Sequence, residues 1–351
     1  MEAELTRPAP VWPGATVAVV SPCSPVVFWR EHRAAQACSY LESLGLRVRV
    51  MSHSGQAMAG KRVSPESRAD DLHAAFSDPD AAVVLAAIGG DHAVELLPHL
   101  DYQLIQANPK LFQGYSDATV LHWSLVKHAG LTTFYGPALL PELGEHPTVL
   151  RYTDRWLRAA WFGSAPLRFI PATSWTDEFL DWDQEQDRTR PRKLRPSGGW
   201  VTIRDGVAEG QLVAGCLETV CRHLMGSPGW LDLQGALLVL ETSEEVPPPH
   251  QVDAYLAELA DAAVFEQITG LVVARPYGYD PDQTRRLWSM VAGRTEARGI
   301  PVLGNVECGH ADPMLTLPLA VRARVNATAK TFETLESALR PAAQTAPRTT
   351  R

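Results

Sequence analysis

The sequence predicts an α/β fold: an N-terminal open, mostly parallel sheet with flanking helices, followed by a smaller mixed α/β C-terminal domain. Three observations predict it. β-branched apolar runs alternate with helix-spaced segments through the first half, the rhythm of a parallel sheet covered on both faces. One run, residues 82–88, is apolar throughout, as a strand buried on both faces requires. The chain has 351 residues, enough for two domains at about 150 each, and the alternating pattern breaks near its middle.

Residues 15–20 (ATVAVV) read as a strand followed by the loop Ser21-Pro22-Cys23-Ser24-Pro25. Residues 29–44 carry helical spacing and stop at Gly45, and 46–51 (LRVRVM) alternate as a half-buried strand. Residues 65–76 open with Pro65 and Glu66, a helix start. The apolar run 82–88 ends in Gly89-Gly90-Asp91. A short strand at 110–114 precedes a helix over 118–128 that stops at Gly130. Ligands bind such sheets beyond the carboxyl ends of the strands.

From 165 to 200 the rhythm stops. Asp177, Glu178, Asp181, Asp183, Glu185 and Asp187 precede Arg188, Arg190, Arg192, Lys193 and Arg195, with Trp175, Trp182 and Trp200 interleaved. Too polar for a core and too aromatic for a plain linker, this stretch reads as an interdomain connection forming a long surface loop. The second half then has short strands at 200–206 and 210–213 around a turn, and a buried strand at 236–240 (ALLVL). A helix over 249–268, a strand at 271–274, a helix over 282–298, a strand at 301–303 and strands within 315–325 follow. The division is 1–165 for the first domain, 166–200 for the connection and 201–339 for the second domain. The Pro-, Ala- and Thr-rich tail at 340–351 is expected to be disordered.

Composition narrows the function. Hydrophobic residues make up 45% and charged residues 21%, ordinary for a globular chain and wrong for a disordered, collagenous or coiled-coil one. The net charge of −8 argues against polymeric nucleic acid as a partner, since phosphate neutralisation needs a basic surplus; a single nucleotide remains open. The five cysteines include no CxxC and are odd in number, so they read as free thiols of a reducing compartment. The first residues, MEAELTRPAPVW, carry acids and prolines where a signal peptide has bases and an apolar stretch. No apolar run is long enough to cross a bilayer. A cytoplasmic protein with no membrane partner is expected. No HExxH and no cluster of His, Cys and carboxylates occurs, so neither metal nor cofactor is expected.

The sharpest local feature is Gly114-Tyr115-Ser116-Asp117-Ala118, between a strand and a helix. That is the setting of a nucleophile elbow, where a tight turn flanked by small residues lifts a serine hydroxyl to the top of a sheet. The ordinary alternative is a serine that merely caps a helix. A nucleophilic serine needs a base and a group to orient that base. His310, in Gly309-His310-Ala311-Asp312-Pro313, and His92, after Gly89-Gly90-Asp91, both sit at strand ends, and spacing does not choose between them. His122 is six residues from Ser116 along the helix and points elsewhere; His128 sits near a helix end that favours a cation. Glu241 ends the apolar strand, where an unpaired carboxylate is costly; it orients a base or pairs with an arginine. Glu244 and Glu245 read as solvated loop charges. Gly89-Gly90 offers exposed N–H groups for an oxyanion or a phosphate.

Together, Gly89-Gly90-Asp91 with Glu95-Leu96-Leu97-Pro98, Gly114 to Thr119, Leu240-Glu241-Thr242, and Gly309-His310 with Leu317-Pro318 resemble the LD-carboxypeptidase family of serine peptidases (peptidase family S66), which includes the microcin C self-immunity peptidases. The resemblance runs from about Val17 to Val325. It implies Ser116 as nucleophile, Glu241 and His310 as the other triad members, and the backbone N–H groups of Gly90 and Asp117 as the oxyanion hole. It implies a site between the two domains, no cofactor, and a homodimer. It resolves the choice of histidine by analogy and leaves His92 as a loop residue near the site. The Trp-containing segment and Leu240 to Glu245 look most like the microcin C immunity branch, which cleaves the amide joining an amino acid to a nucleotide-like moiety while an aromatic side chain stacks on the adenine. Trp182 or Trp175 would fill that part; with Gly89 and Asp91 they are the candidate substrate-binding residues. The rival substrate is the murein tetrapeptide, cut before its terminal D-alanine. A rival of another class is a non-catalytic module binding a small ligand. The α/β-hydrolase fold shares the order Ser, acid, His but fits the Gly-Gly-Asp motif less well.

Overall fold

The computed structural model describes residues 5–25 and 30–341. Trp29, at the head of the predicted helix 29–44, and the predicted tail beyond Pro341 lie outside the described residues.

Apolar runs become strands where both faces are covered. β1 (Thr16–Val20) and β3 (Ala81–Ala86) are buried at every residue. β2 (Arg47–Val50), with its Arg-Val alternation, is the exposed edge. β4 (Leu111–Gly114) and β5 (Phe134–Tyr135) extend the sheet on the other side, and all four pairings among these strands are parallel. Helices cover the faces. Helix Pro65–Ser77 lies against β1 and β3 and starts where Ser64 Oγ accepts the Ser67 N–H at 3.3 Å with Pro65 in the first turn. Helix Thr119–Ala129 ends on Gly130 at φ 60°, the left-handed stop that glycine favours.

The connection is built into the structure. β6 (Arg168–Phe169) joins the edge of the second sheet, and β7 (Ser174–Trp175) pairs with β8 (Arg195–Pro196) as a separate ribbon. The second sheet is then completed by β9 (Val201–Arg204), β10 (Val207–Cys216), β11 (Ala236–Glu241), β12 (Gly270–Ala274) and β13 (Val302–Val306), with β15 (Arg322–Asn326) and β16 (Thr331–Thr334) following β14 (Leu317–Pro318). Its order is β6-β16-β15-β10-β11-β12-β13-β9, with β10 to β13 parallel at the centre. β14 departs from this sheet: it pairs antiparallel with β5 and closes the first one, whose order is β14-β5-β4-β3-β1-β2.

The mixed α/β architecture agrees with the sequence reading, and several details differ from it. The strands expected at 200–206 and 210–213 do not pair with each other; β9 takes an outer edge against β13, while β10 lies between β11 and β15. The single helix expected over 249–268 is two, Pro249–Asp261 and Val264–Gln267, separated at Ala263 in the left-handed region with φ 56°. The connection is no simple surface loop. Trp200 and Asp187 are buried, and Thr176 exchanges backbone hydrogen bonds with Asp312 at 2.7 and 2.9 Å. The head of the predicted tail is anchored as well, since Arg340 N–H donates to Pro8 at 2.9 Å.

Candidate active site

Ser116 sits just beyond β4, at φ 61°. A non-glycine residue held there costs roughly 1–3 kcal/mol and persists only where its surroundings fix it. They do so on every side. Its N–H donates to Tyr135 Oη at 3.1 Å, and its carbonyl accepts Thr119 Oγ1 at 2.6 Å. A β-carbon on Gly89 would lie 2.9 Å from Ser116 Cβ and 3.0 Å from Oγ, so only glycine leaves the hydroxyl its space. A β-carbon on Gly90 would fall 2.1 Å from the Cys23 carbonyl. That same carbonyl accepts the N–H groups of Asp91 and His92 at 3.1 Å each. The Asp117 carboxylate braces the turn from below, accepting His92 N–H at 2.9 Å and Ala93 N–H at 2.8 Å. Burial raises Asp117 to about 6 despite those bonds. The Gly90 N–H donates to no acceptor among the described residues and borders the same cavity as Ser116.

The candidate base comes from the other half. His310 follows Gly309, whose φ of 78° and absent side chain let the loop pass over Glu241: a β-carbon there would lie 2.3 Å from Glu241 Oε2. His310 Nδ1 is 2.8 Å from Glu241 Oε2, and both side chains are almost wholly buried. Tyr135 Oη donates to Glu241 Oε1 at 2.7 Å. Tyr135 therefore ties the backbone of Ser116 to the carboxylate behind His310. The Tyr115 ring packs edge-on against His310 with centroids 4.9 Å apart. At the other ring nitrogen, His310 Nε2 lies 2.6 Å from Glu244 Oε2. Burial alone would lower the histidine, but the charges of Glu241 and Glu244 outweigh it and raise His310 well above 6.5. Glu244 sits in a crowded rim that opposes its ionised form although the side chain itself is 63% exposed, yet the facing imidazolium brings it down to about 2.

A cavity of about 420 Å3 opens in front of these groups, lined among others by Gly89, Gly90, Ser116, Trp182 and His310. Its far wall is charged and tightly paired. Arg33 donates to Asp187 at 2.7 Å, and Arg192 bridges Glu145 and Asp312 at 3.0 and 2.7 Å. Trp182 lies over the Arg33 guanidinium at 4.2 Å. Within the same cavity Tyr115 Oη donates to Glu142 at 2.8 Å, and burial with the nearby Asp312 charge raises Glu142 to about 8. Among the described residues, no group of three or more His, Cys, Asp or Glu is arranged to hold a metal.

The structure thus draws Ser116, Gly89, Gly90, His310 and Trp182 to one cavity, with Glu241 behind the histidine. It does not bring Trp175 there: that ring packs against the guanidiniums of Arg195 and Arg275 at 4.1 and 5.0 Å and is absent from the lining. Asp91 faces a second, smaller cavity and pairs with His223 at 2.6 Å. His92 is engaged with Glu95 at 3.0 Å. His122 is buried between Thr133 Oγ1 and the Gly114 carbonyl, at 2.8 and 2.9 Å. Glu244 is an exposed loop charge as expected, and it is also a partner of His310. Tyr135, Tyr115 and Glu142 carried no sequence signal of a role; for Tyr135 the cue lies in register, since β5 sets it directly opposite Gly114.

The chain is similar to known proteins through both of its halves. Residues 17–136 match the LD-carboxypeptidase N-terminal domain of family S66, and residues 209–325 match its C-terminal domain. The chain is 30% identical to putative carboxypeptidase YocD of Bacillus subtilis over 318 residues, covering 91% of this chain and 95% of that one. It is 29% identical to the microcin C7 self-immunity protein MccF of Escherichia coli over 336 residues, 94% of this chain and 96% of MccF. It is also 29% identical to a probable murein peptide carboxypeptidase of Bacillus subtilis over 334 residues, 93% of each chain. The solved structure of MccF in complex with glutamyl sulfamoyl guanosine superposes with a TM-score of 0.85 at 28% identity, covering 95% of this chain and 99% of that one. Matched through both halves, the chain belongs to the LD-carboxypeptidase family, S66, and is a serine hydrolase.

Proposed function

We propose that the protein hydrolyses the amide joining an aminoacyl group to a nucleotide-like moiety, using Ser116, His310 and Glu241. The observation that carries this reading is the strained Ser116 at the lip of a cavity that also holds His310 backed by Glu241. His310 Nε2 takes the proton of Ser116 as Oγ attacks the carbonyl carbon. Glu241 fixes the tautomer and stabilises the imidazolium. The N–H groups of Gly90 and Asp117 receive the developing oxyanion. His310 then returns the proton to the leaving amine, and water attacks the acyl-enzyme by the same route in reverse.

Trp182 supports the substrate class. It is the tryptophan of the connection that faces the cavity, and an indole face there would stack on a nucleobase, worth roughly 1–3 kcal/mol. MccF, with its glutamyl sulfamoyl guanosine complex, is the relative that fits this chemistry. The likeness to a murein peptide carboxypeptidase keeps the tetrapeptide as the second reading. Purified protein offered an aminoacyl sulfamoyl nucleoside and a murein tetrapeptide decides between them, with preference for the nucleoside expected. Ser116→Ala is expected to lower turnover by about 10⁴-fold or more. Near-normal hydrolysis by that variant would reject the nucleophile, and preference for the tetrapeptide would reject the substrate class.

A further inference from the structure

The proposed chemistry needs His310 Nε2 to face Ser116 Oγ, and in this structure Nε2 faces Glu244 Oε2 at 2.6 Å instead. With Glu241 on Nδ1, both ring nitrogens are committed to carboxylates. Such a ring is an imidazolium and has no lone pair for the serine proton. Among the described residues, Ser116 Oγ makes no hydrogen bond. The two carboxylates are not equivalent. Glu241 is 1% exposed at the end of β11, whereas the Glu244 side chain is 63% exposed on the following loop. That loop holds Val246 at φ 51°, a β-branched residue in the left-handed region.

Glu244 also borders both spaces beside Ser116: the large cavity, and a second one of about 40 Å3. The other carboxylates of the smaller space are already engaged. Asp91 pairs with His223, Glu245 with Arg222 at 3.1 Å, and Glu218 accepts from the Ser243 N–H and hydroxyl at 2.9 and 2.7 Å. Glu244 is the one whose partner is the base itself.

We propose that Glu244 is a latch on His310, closed in the free enzyme and drawn off by the ammonium group of the substrate's acyl portion. This rests on the aminoacyl reading and refines it: the acyl group is an amino acid with a free α-amine. With the scissile carbonyl at Ser116 and the nucleoside toward Trp182, the acyl portion points to the small cavity that Glu244 borders. Transfer from His310 to the ammonium exchanges one ion pair for another, so Glu244 leaves the imidazole without losing a charged partner. Relieved of one carboxylate, His310 gives its proton to solvent and becomes the neutral base that Ser116 requires. A substrate without the ammonium has to open the latch with no compensating pair, so fewer molecules are competent at any instant.

The test compares an aminoacyl sulfamoyl adenosine with its desamino counterpart on the wild type, Glu244→Gln and Glu244→Ala, with kcat and KM read separately. The wild type is expected to turn over the amine-bearing compound at least about tenfold faster. Glu244→Ala is expected to raise kcat for the desamino compound and to raise KM for the amine, bringing the two within about threefold, with Glu244→Gln between. An unchanged ratio in Glu244→Ala overturns the latch. So does an equal fall of kcat on both compounds, the signature of a group that only supports the ring. Turnover of neither compound by the wild type, while a fluorophosphonate still labels Ser116, overturns the aminoacyl reading and the latch with it.

Discussion

On the first sheet, Ser116 is held by backbone geometry and neutral groups: a φ of 61°, bonds to Tyr135 and Thr119, and the bare backbone of Gly89 against its hydroxyl. Beyond the second, on the stretch after β13, His310 is held by charge, with a carboxylate at each ring nitrogen. The difference teaches how the two reacting groups respond to their surroundings. A position fixed by sterics changes little with pH or with a ligand's charge. A position fixed by ion pairs can be rearranged by any group that competes for the carboxylate. Ser116, the proposed nucleophile, is therefore the constant of the site, and His310, the proposed base, its variable.

The largest effect expected on the charged side comes from Glu241→Gln, which keeps the shape and removes the charge. Turnover is expected to fall by about 10⁴-fold with the circular dichroism spectrum retained; a fall of less than tenfold would show that Glu241 does not orient the base. The matching test on the steric side is Gly89→Ala. Its new methyl meets Ser116 Cβ at 2.9 Å, so kcat is expected to drop by about 10²-fold through misplacement of the hydroxyl, with KM little changed. A loss carried by KM instead would break the assignment of Gly89 to the nucleophile.

Next comes the wall of the cavity. Trp182→Ala is expected to raise KM for a nucleoside-bearing substrate by about 10- to 100-fold, whereas Trp175→Ala, altering a ring packed against Arg195 and Arg275, leaves KM within about twofold. Equal effects would place both rings on the ligand. The smallest effect is on stability. Burial lowers His122 to about 4, against about 6.5 in an unfolded chain. The unfolded state therefore binds the proton first as pH falls. Stability is complete above pH 6.5 and declines toward pH 4 by up to about 1.4 kcal/mol per unit. Melting temperatures across that range should show this slope, and His122→Gln should flatten it; an unaltered slope would remove His122 as its source.

The parts of this molecule legible in its sequence are those written in local pattern. The runs that became β1, β3 and β11 announce burial on both faces, and Gly-Tyr-Ser-Asp-Ala announces a tight strand-to-helix turn. Glu241 was legible because a carboxylate at the end of ALLVL demands a partner. What was illegible depends on residues far apart in the chain. His310 and His92 have similar local settings, and only the fold brings one of them onto Glu241. Glu244 differs from Glu245 in no property of the sequence, yet one meets the imidazole and the other Arg222. The break at Ala263 carries neither Gly nor Pro to announce it. The connection looked solvated because its charges are many, but Asp187 and Arg192 find their partners in other segments, at Arg33, Glu145 and Asp312.

β14 has a consequence for how the protein can be taken apart. His310 lies on the stretch between β13, in the second sheet, and β14, in the first. A fragment cut near residue 165 would carry Ser116 with the hydrogen-bonding edge of β5 left open, a template for indiscriminate strand addition. The complementary fragment would carry His310 on a segment with one end unmoored. Neither piece is a finished unit, so the two are expected to recover activity only when refolded together, by strand exchange rather than by surface docking.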